Sequence, residues 1–265
     1  NMAVYKIFAV NDATMYSEYP LMNTGLDAMN ESRNWKNPLI DLSNPVYHPN
    51  LWGDVGETWV SSSITYNTES LEGYTTTAVS RFLIKFDQDD INYVFDNIVK
   101  DDPYDVHLKS YVATAQGIAQ QSKLEVFPVA YDWTNGTGHY GNKPETTDGV
   151  SWGQRNDNFS NNLWPSSSLP DYQHYESIEA TPGGGVWYTG STNPNIDLSS
   201  ASQSYDVRTK KDLDIKVTDI VDVWYSQSKG LNPYKTIENN GFIVKWTGSL
   251  EFEPSSSIVP QIKFY

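Results

Sequence analysis

The chain has 265 residues, long enough for one large β domain, with 18 Lys and Arg against 33 Asp and Glu and a formal net charge of −15. Such acidity repels phosphate backbones at long range, which argues against nucleic acid as a partner. Cysteine is absent, so disulfide frameworks, Cys-type zinc sites, iron–sulfur clusters and thiol catalysis are all excluded.

Two further absences set expectations. No apolar run approaches the roughly 18 residues that a membrane helix requires, so membrane insertion is not expected. The opening Asn1-Met2-Ala3-Val4-Tyr5-Lys6 has no basic stretch followed by an apolar core, so no signal peptide is expected either. The aromatic residues are 9 Trp, 18 Tyr and only 9 Phe. Trp and Tyr combine an apolar body with a polar handle, which suits half-exposed sheet faces and contact surfaces for protein or sugar.

In chain order, the compact apolar run Tyr5–Val10 predicts a first strand that stops at the turn formers Asn11-Asp12-Ala13-Thr14. Residues 17–60 carry scattered Asn, Pro and Gly together with Trp35, Trp52 and Trp59, and read as long loops with short strands. Weak alternation over Trp59–Tyr66 marks a further strand. Ser80–Asp87 is a clearer one, with Phe82, Ile84 and Phe86 on a single face. Apolar residues then recur at Ile91, Val94, Phe95, Ile98 and Val99, the stripe of a short amphipathic helix. Its start carries Asp87, Asp89 and Asp90, where the helix dipole favours negative charge, and Asp102-Pro103 ends it.

Val106–Ala113 alternates strictly and predicts a strand, with Lys123–Tyr131 as its partner. Asp214–Val217 predicts a short strand followed by a helix capped by Thr218, with Ile220, Val221 and Trp224 as its apolar stripe. Gly241–Trp246 and Val259–Tyr265 close the chain as strands. No fixed-period repeat and no composition break divides it. The expected fold class is all-β, an antiparallel jelly-roll-like β-sandwich with long loops and one or two short helices. It spans 1–265 as one domain with a loop-rich insertion at about 156–205.

The chemistry-bearing residues are sparse. His48, His107, His139 and His174 lie far apart without metal-ligand spacing, and His107 reads as an exposed strand residue. Asp87, Asp89, Asp90 and Asn92 approach a calcium loop, but Ile91 and Asn92 break its pattern, so the tract reads as a helix N-terminus. A structural calcium ion held elsewhere by loop carbonyls and an acid stays open; no other cofactor is expected. Glycoside hydrolysis needs two carboxylates across a cleft, and with 33 acids sequence proximity selects no pair. Asn30-Glu31-Ser32, Asn135-Gly136-Thr137 and Asn158-Phe159-Ser160 fit the glycosylation sequon, at a frequency that chance explains. Trp35, Trp52, Trp59, Trp133, Trp164 and Trp187 form either a sugar-stacking platform or aromatic anchors in the core or in a protein interface. No residue stands out as catalytic.

Several segments in order resemble the DNRLRE-type jelly-roll domains, related to a carbohydrate-binding module and to disaggregatase. They are Asp12–Tyr16 with Asn23-Thr24-Gly25, the arginine-led strand Ser80–Asp87, His107–Val112, Val126–Trp133, Gly149-Val150-Ser151-Trp152, Asp214–Trp224, and Asn240–Lys245. Trp133–Gly138, Gly149–Trp152 and Pro182–Gly190 look more closely like virion structural proteins of contractile-tailed phages of marine cyanobacteria. That resemblance implies a non-enzymatic tail, neck or fibre component, assembled in the host cytoplasm and carried in the virion. Its partners would be other virion proteins and copies of itself. It also implies a short further segment after Tyr265. The carbohydrate-binding relatives imply the alternative, a module or adhesin for host-surface polysaccharide. The long insertion departs from them, and no ligand motif carries over.

Overall fold

In the computed structural model, residues 4–17, 19–36, 77–117, 122–156, 163–164, 174–176, 183–189, 191–192, 196–197, 201–205, 212–231, 237–247 and 261–265 are described. Their elements in order are β1 (Ala9–Tyr16), β2 (Asn30–Lys36), β3 (Thr77–Phe86), α1 (Gln88–Val94) with a π-helical turn (Phe95–Val99), β4 (His107–Ser110), β5 (Val112–Gln116) and β6 (Ser122–Pro128). There follow β7 (His174–Glu176), β8 (Trp187–Thr189), β9 (Ser191–Thr192), β10 (Ile196–Asp197), β11 (Ser202–Tyr205), β12 (Leu213–Lys216), α2 (Thr218–Ser228), β13 (Phe242–Trp246) and β14 (Gln261–Phe264). The fold is all-β and antiparallel, a curled, sandwich-like arrangement with two short helices.

One strand organises it. Ser80 of β3 pairs with Tyr16 of β1 and with Arg33 of β2, so those two strands occupy opposite edges of β3. Phe82 pairs likewise with Thr14 of β1 and Val244 of β13. The edge opposite β1 is therefore shared, β2 taking residues 77–80 and β13 taking 82–84. Two wings leave that edge, β2-β14-β5 and β13-β6-β11, completing an 8-stranded sheet. A strand flanked on both edges and covered on both faces loses the polar side of its pattern. Val79 through Leu83 are accordingly at most 1 % exposed, the polar Ser80 and Arg81 included.

The two faces pack differently. On one, Phe82 lies 5.6 Å from Phe264, and Trp224 of α2 sits 4.6 Å from Phe242, between ring centroids. On the other, Met15, Arg81, Leu83, Ile243 and Lys245 lie beneath the loops carrying Trp152 and Trp187. The separate β4–β12 pair turns Leu108, Leu213 and Ile215 inward and His107, Lys109, Asp214 and Lys216 outward, in strict alternation.

Several sequence expectations change. The first strand is Ala9–Tyr16 rather than Tyr5–Val10. It runs through Asn11 and Asp12 because β3 offers a continuous partner, and loop side chains satisfy its outer edge: Asp12 N donates to Asn135 Oδ1, and Thr14 N to Thr24 Oγ1. Tertiary hydrogen bonding here overrides turn propensity. The alternating run 106–113 splits at Tyr111 into β4, which joins β12, and β5, which joins β14. Lys123–Pro128 pairs instead with β13 and β11. The Trp59–Tyr66 expectation falls outside the described residues. Within the described part of 156–205, Trp187 of β8 bridges to Val129, and β11 pairs with β6.

Both helices form where the periodicity puts them, with altered ends. Asp87 caps α1, its carboxylate accepting from Asp89 N and Asp90 N, which accounts for the acidic tract as a helix start. The π-turn rotates the stripe, leaving Ile98 exposed, and Lys100 ends the helix with φ 51° before Asp102-Pro103 is reached. Thr218 is the first helical residue of α2 rather than its cap; its hydroxyl instead accepts from Val106 N. Replacing Asp87 by Ala is expected to cost about 1 kcal/mol in urea unfolding, with the fold retained.

Candidate functional site

Arg81 is fully buried at the point where β3 changes partners. A guanidinium is always charged, so its burial demands compensation. Nη1 donates to the Gly184 carbonyl at 2.7 Å, and the planar group lies between two indoles, 5.0 Å from the Trp152 ring and 4.9 Å from the Trp187 ring. Desolvated cation–π contacts of this kind contribute about 2 kcal/mol. Lys245 Nζ stands 5.4 Å from Trp187 and donates to the Trp246 carbonyl. The Trp187 ring thus has two cations as neighbours.

The loop around this arrangement must approach very closely. Gly184 N donates to the Trp152 carbonyl at 2.6 Å. Gly183, Gly184 and Gly185 adopt φ of 126°, 74° and 92°. A Cβ on Gly184 would lie 2.8 Å from the Trp152 ring and 2.9 Å from Arg81 Nη1. The Gly183–Gly185 run is therefore a backbone that fits over an arginine and an indole, which only glycine allows.

A second network ties the loops together through Asn23, which is 0 % exposed. Its amide donates to the carbonyls of Asn135 and Val150 and accepts from Gly25 N and Gly138 N. All four hydrogen-bonding positions of the side chain are filled. Asn135 in turn accepts from Asp12 N and donates to the Gly25 carbonyl. Trp133 Nε1 donates to the Asn240 carbonyl and Trp164 Nε1 to the Ser151 carbonyl.

A third network centres on Glu31, 4 % exposed. Its carboxylate accepts from Tyr16 at 2.9 Å and from Gln261, with Lys263 at 3.6 Å and Arg33 at 3.8 Å. Burial first, then the Glu31 charge, hold the Tyr16 hydroxyl far above the ordinary phenol range, so it acts as a proton-retaining donor rather than a base or nucleophile. Tyr140 packs 4.8 Å from Tyr16 and is 48 % exposed.

The sequence-predicted aromatics separate into groups. Trp133, Trp164 and Trp187 are 3 %, 2 % and 1 % exposed and sit in the core, which removes them from any stacking platform on this chain's surface. Trp35 lies on β2 opposite Ala78 of β3. Trp52 and Trp59 lie outside the described residues, as do His48 and the Asn158 sequon. His107 is exposed on β4 and contacts Asp214 at 2.6 Å; the same carboxylate takes Lys109 at 2.9 Å. These two partners, against partial burial, hold Asp214 below the usual carboxylate range. The other two sequons have occupied amides, Asn30 donating to Asp12 and Asn135 to Gly25.

Sequence reasoning did not single out Arg81, Asn23, Glu31 or Lys245 for their roles. For Arg81 and Lys245 the signal is a cation inside an apolar run, Val79–Ile84 and Phe242–Trp246; Asn23 and Glu31, set among polar residues, carry none. Among the described residues, no three His, Asp or Glu side chains converge as metal ligands, and no helix is long and apolar enough to cross a membrane. Comparison with protein-family models, with curated proteins and with solved structures finds no match.

Gly184→Ala should lower the unfolding free energy by at least about 2 kcal/mol in urea titration, through left-handed strain and overlap together. The tyrosines set an alkaline limit. Tyr16 is held high, and burial pushes Tyr188 up to about 12, whereas an unfolded tyrosine ionises near 10. Their contribution is complete below about pH 10 and is lost as pH rises beyond it. Unfolding free energy should therefore decline above about pH 10, less steeply in Tyr16→Phe; an unchanged decline in that variant contradicts the assignment.

Proposed function

We propose that this chain is a non-enzymatic structural component of a phage particle, in its tail, neck or fibre region. It assembles with copies of itself and other virion proteins through the β-sandwich and its aromatic-rich loops. The observation that carries the reading is where the chemistry is spent. The buried cations, the Asn23 amide and the Glu31 carboxylate all bond internally, and loops cross-tied in this way present fixed surfaces. Outside, large apolar and tyrosine side chains remain, among them Phe8, Tyr93, Tyr111 and Tyr265. Tyrosine-rich surfaces suit protein contacts. The net charge of −15 keeps unassembled copies soluble and disfavours nucleic acid. The resemblance to cyanophage virion proteins rests on Trp133–Gly138, Gly149–Trp152 and Pro182–Gly190, which supply much of this loop framework.

A carbohydrate-binding module or host-surface adhesin is the second reading, and one observation favours it. Tyr140 presents a half-exposed ring, with Tyr19 edge-on at 5.8 Å and His139 beside it, bonded to Asp27. Immunogold labelling of intact particles separates the two readings. Label at a fixed position on tail, neck or fibre is expected. Unlabelled particles, with polysaccharide binding that Tyr140→Ala abolishes, would replace the virion reading by the sugar-binding one.

A further inference from the structure

The two wings that part at β3 meet again on the far side of the core. The first wing ends in β5, which continues the chain of β4 through Tyr111. The Tyr111 carbonyl accepts from Tyr265 N, just past β14, whereas Val112 N donates to Asp212 Oδ1. Main-chain groups of successive residues in a strand point to opposite edges. The stretch formed by β4 and β5 therefore has β14 on one edge and β12 on the other, and β12 is the outermost strand of this wing. The second wing ends in β11. Every pairing between these two ends is antiparallel, which leaves β11 and β12 antiparallel to each other. Yet among the described residues no ladder joins them.

A single side chain does so instead. Gln203 of β11 pairs across to Leu124 of β6, which is fully buried, so the glutamine side chain points to the covered face of the sheet. Its Nε2 donates to the Asp212 carbonyl at 2.9 Å, and its Oε1 accepts from Asp214 N at 2.7 Å. Val217 N donates to the Val106 carbonyl, so Leu213, Ile215 and Val217 turn their main-chain groups to β4. Asp212 and Asp214 turn theirs to the opposite edge, where Gln203 lies. Donating to the carbonyl before Leu213 and accepting from the amide after it is what a main-chain peptide does in a ladder. The Gln203 amide takes the place of that peptide. The carboxylates of the same two residues hold the other edge: Asp212 accepts from Val112 N, and Asp214 takes His107 and Lys109.

We propose that Gln203 is a latch, closing the two wings into one continuous circuit of strands and setting where that circuit first opens. Every other junction in the circuit is a strand ladder or the chain itself. This one depends on two hydrogen bonds from one side chain, and local opening starts where such bonds are fewest. While the latch is closed, the facing edges of β11 and β12 are turned to each other and not to a strand of another chain. The latch is a property of the fold and does not rest on the assembly reading.

Native-state hydrogen exchange, followed by NMR over a urea series, tests it. In the wild type the Asp214 amide should be protected, and its opening should depend on urea far less than that of Leu83 in β3. Gln203→Met keeps the length of the side chain without its amide. It should speed exchange at Asp214 by at least about tenfold. Ile215, whose amide faces β4 and makes no bond to Gln203, should speed up with it, because a released β12 frees the whole pair. Gln203→Glu retains the acceptor, loses the donor and sets a carboxylate beside Asp212 and Asp214, so its opening should exceed the wild type's by a factor that added salt reduces. Near-ultraviolet circular dichroism should match the wild type in both variants. An unprotected Asp214 amide in the wild type, or one that opens only together with Leu83, overturns the latch, and neither result needs a variant. Ile215 exchange left unchanged by Gln203→Met overturns it as well.

Discussion

The contact on which the rest of the structure depends is the Arg81 guanidinium, held between the Trp152 and Trp187 rings and bonded to the Gly184 carbonyl. It sits on β3, which among the described residues alone pairs with three other strands, at the residue separating its two partners on the shared edge. A permanent charge at that place cannot be neutralised by losing a proton. The surrounding chain must supply compensation, and it does so with two loops far away in sequence, one ending in Trp152 and one spanning Gly183–Trp187. The charge thus specifies which loops close over that face of the sheet. An apolar residue there would accept many coverings; the guanidinium accepts a planar, electron-rich one with a carbonyl at its edge.

The other two networks extend the same constraint. The Asn23 amide draws residues 133–150 against β1, and Ser151 Oγ and Gly153 N both donate to the Pro20 carbonyl. The segment carrying Trp152 is therefore fixed at both ends before its ring meets Arg81. On the far side, Glu31 joins β2 to β14 and to the end of β1, which holds one wing of the sheet to the strand it leaves. A sandwich built this way gains specificity from polar groups that are costly when unpaired and stabilising when complete. That fits the structural role proposed for the chain.

Legibility in the sequence followed the physics of each signal. Where burial is one-sided, as in β4, β12 and α2, period alone located the elements and their faces. Val106–Leu108 showed its inward and outward sides correctly because β4 has a solvated face. Where burial is two-sided, the polar side of the pattern is lost: β13 reads only as an apolar run with one charge, and in β3 the alternation of Phe82, Ile84 and Phe86 marks one face while Arg81 and Leu83 on the other are buried as fully. Those charges, Arg81 and Lys245, were the site, and a single sequence gives no measure of a cation's burial. Strand partners were legible least. Tyr111 splits an unbroken alternation because the chain passes from β12 to β14 there, a decision made by elements a hundred or more residues away. Asn11-Asp12 reads as a turn because the groups that satisfy Asp12, Asn30 in β2 and Asn135 123 residues on, lie outside any local window. The glycine motifs were visible as motifs, but their reason, close approach to Asn23, Trp152 and Arg81, exists only in three dimensions.

The core's integrity rests on one cation between two rings. A double-mutant cycle on Arg81→Met and Trp152→Leu, read by urea unfolding, measures that dependence. The account predicts that the two substitutions are strongly non-additive, with a coupling of at least about 1 kcal/mol. Additive effects would mean that the arginine is merely tolerated beside the indole, and the organising role given to it here would be wrong.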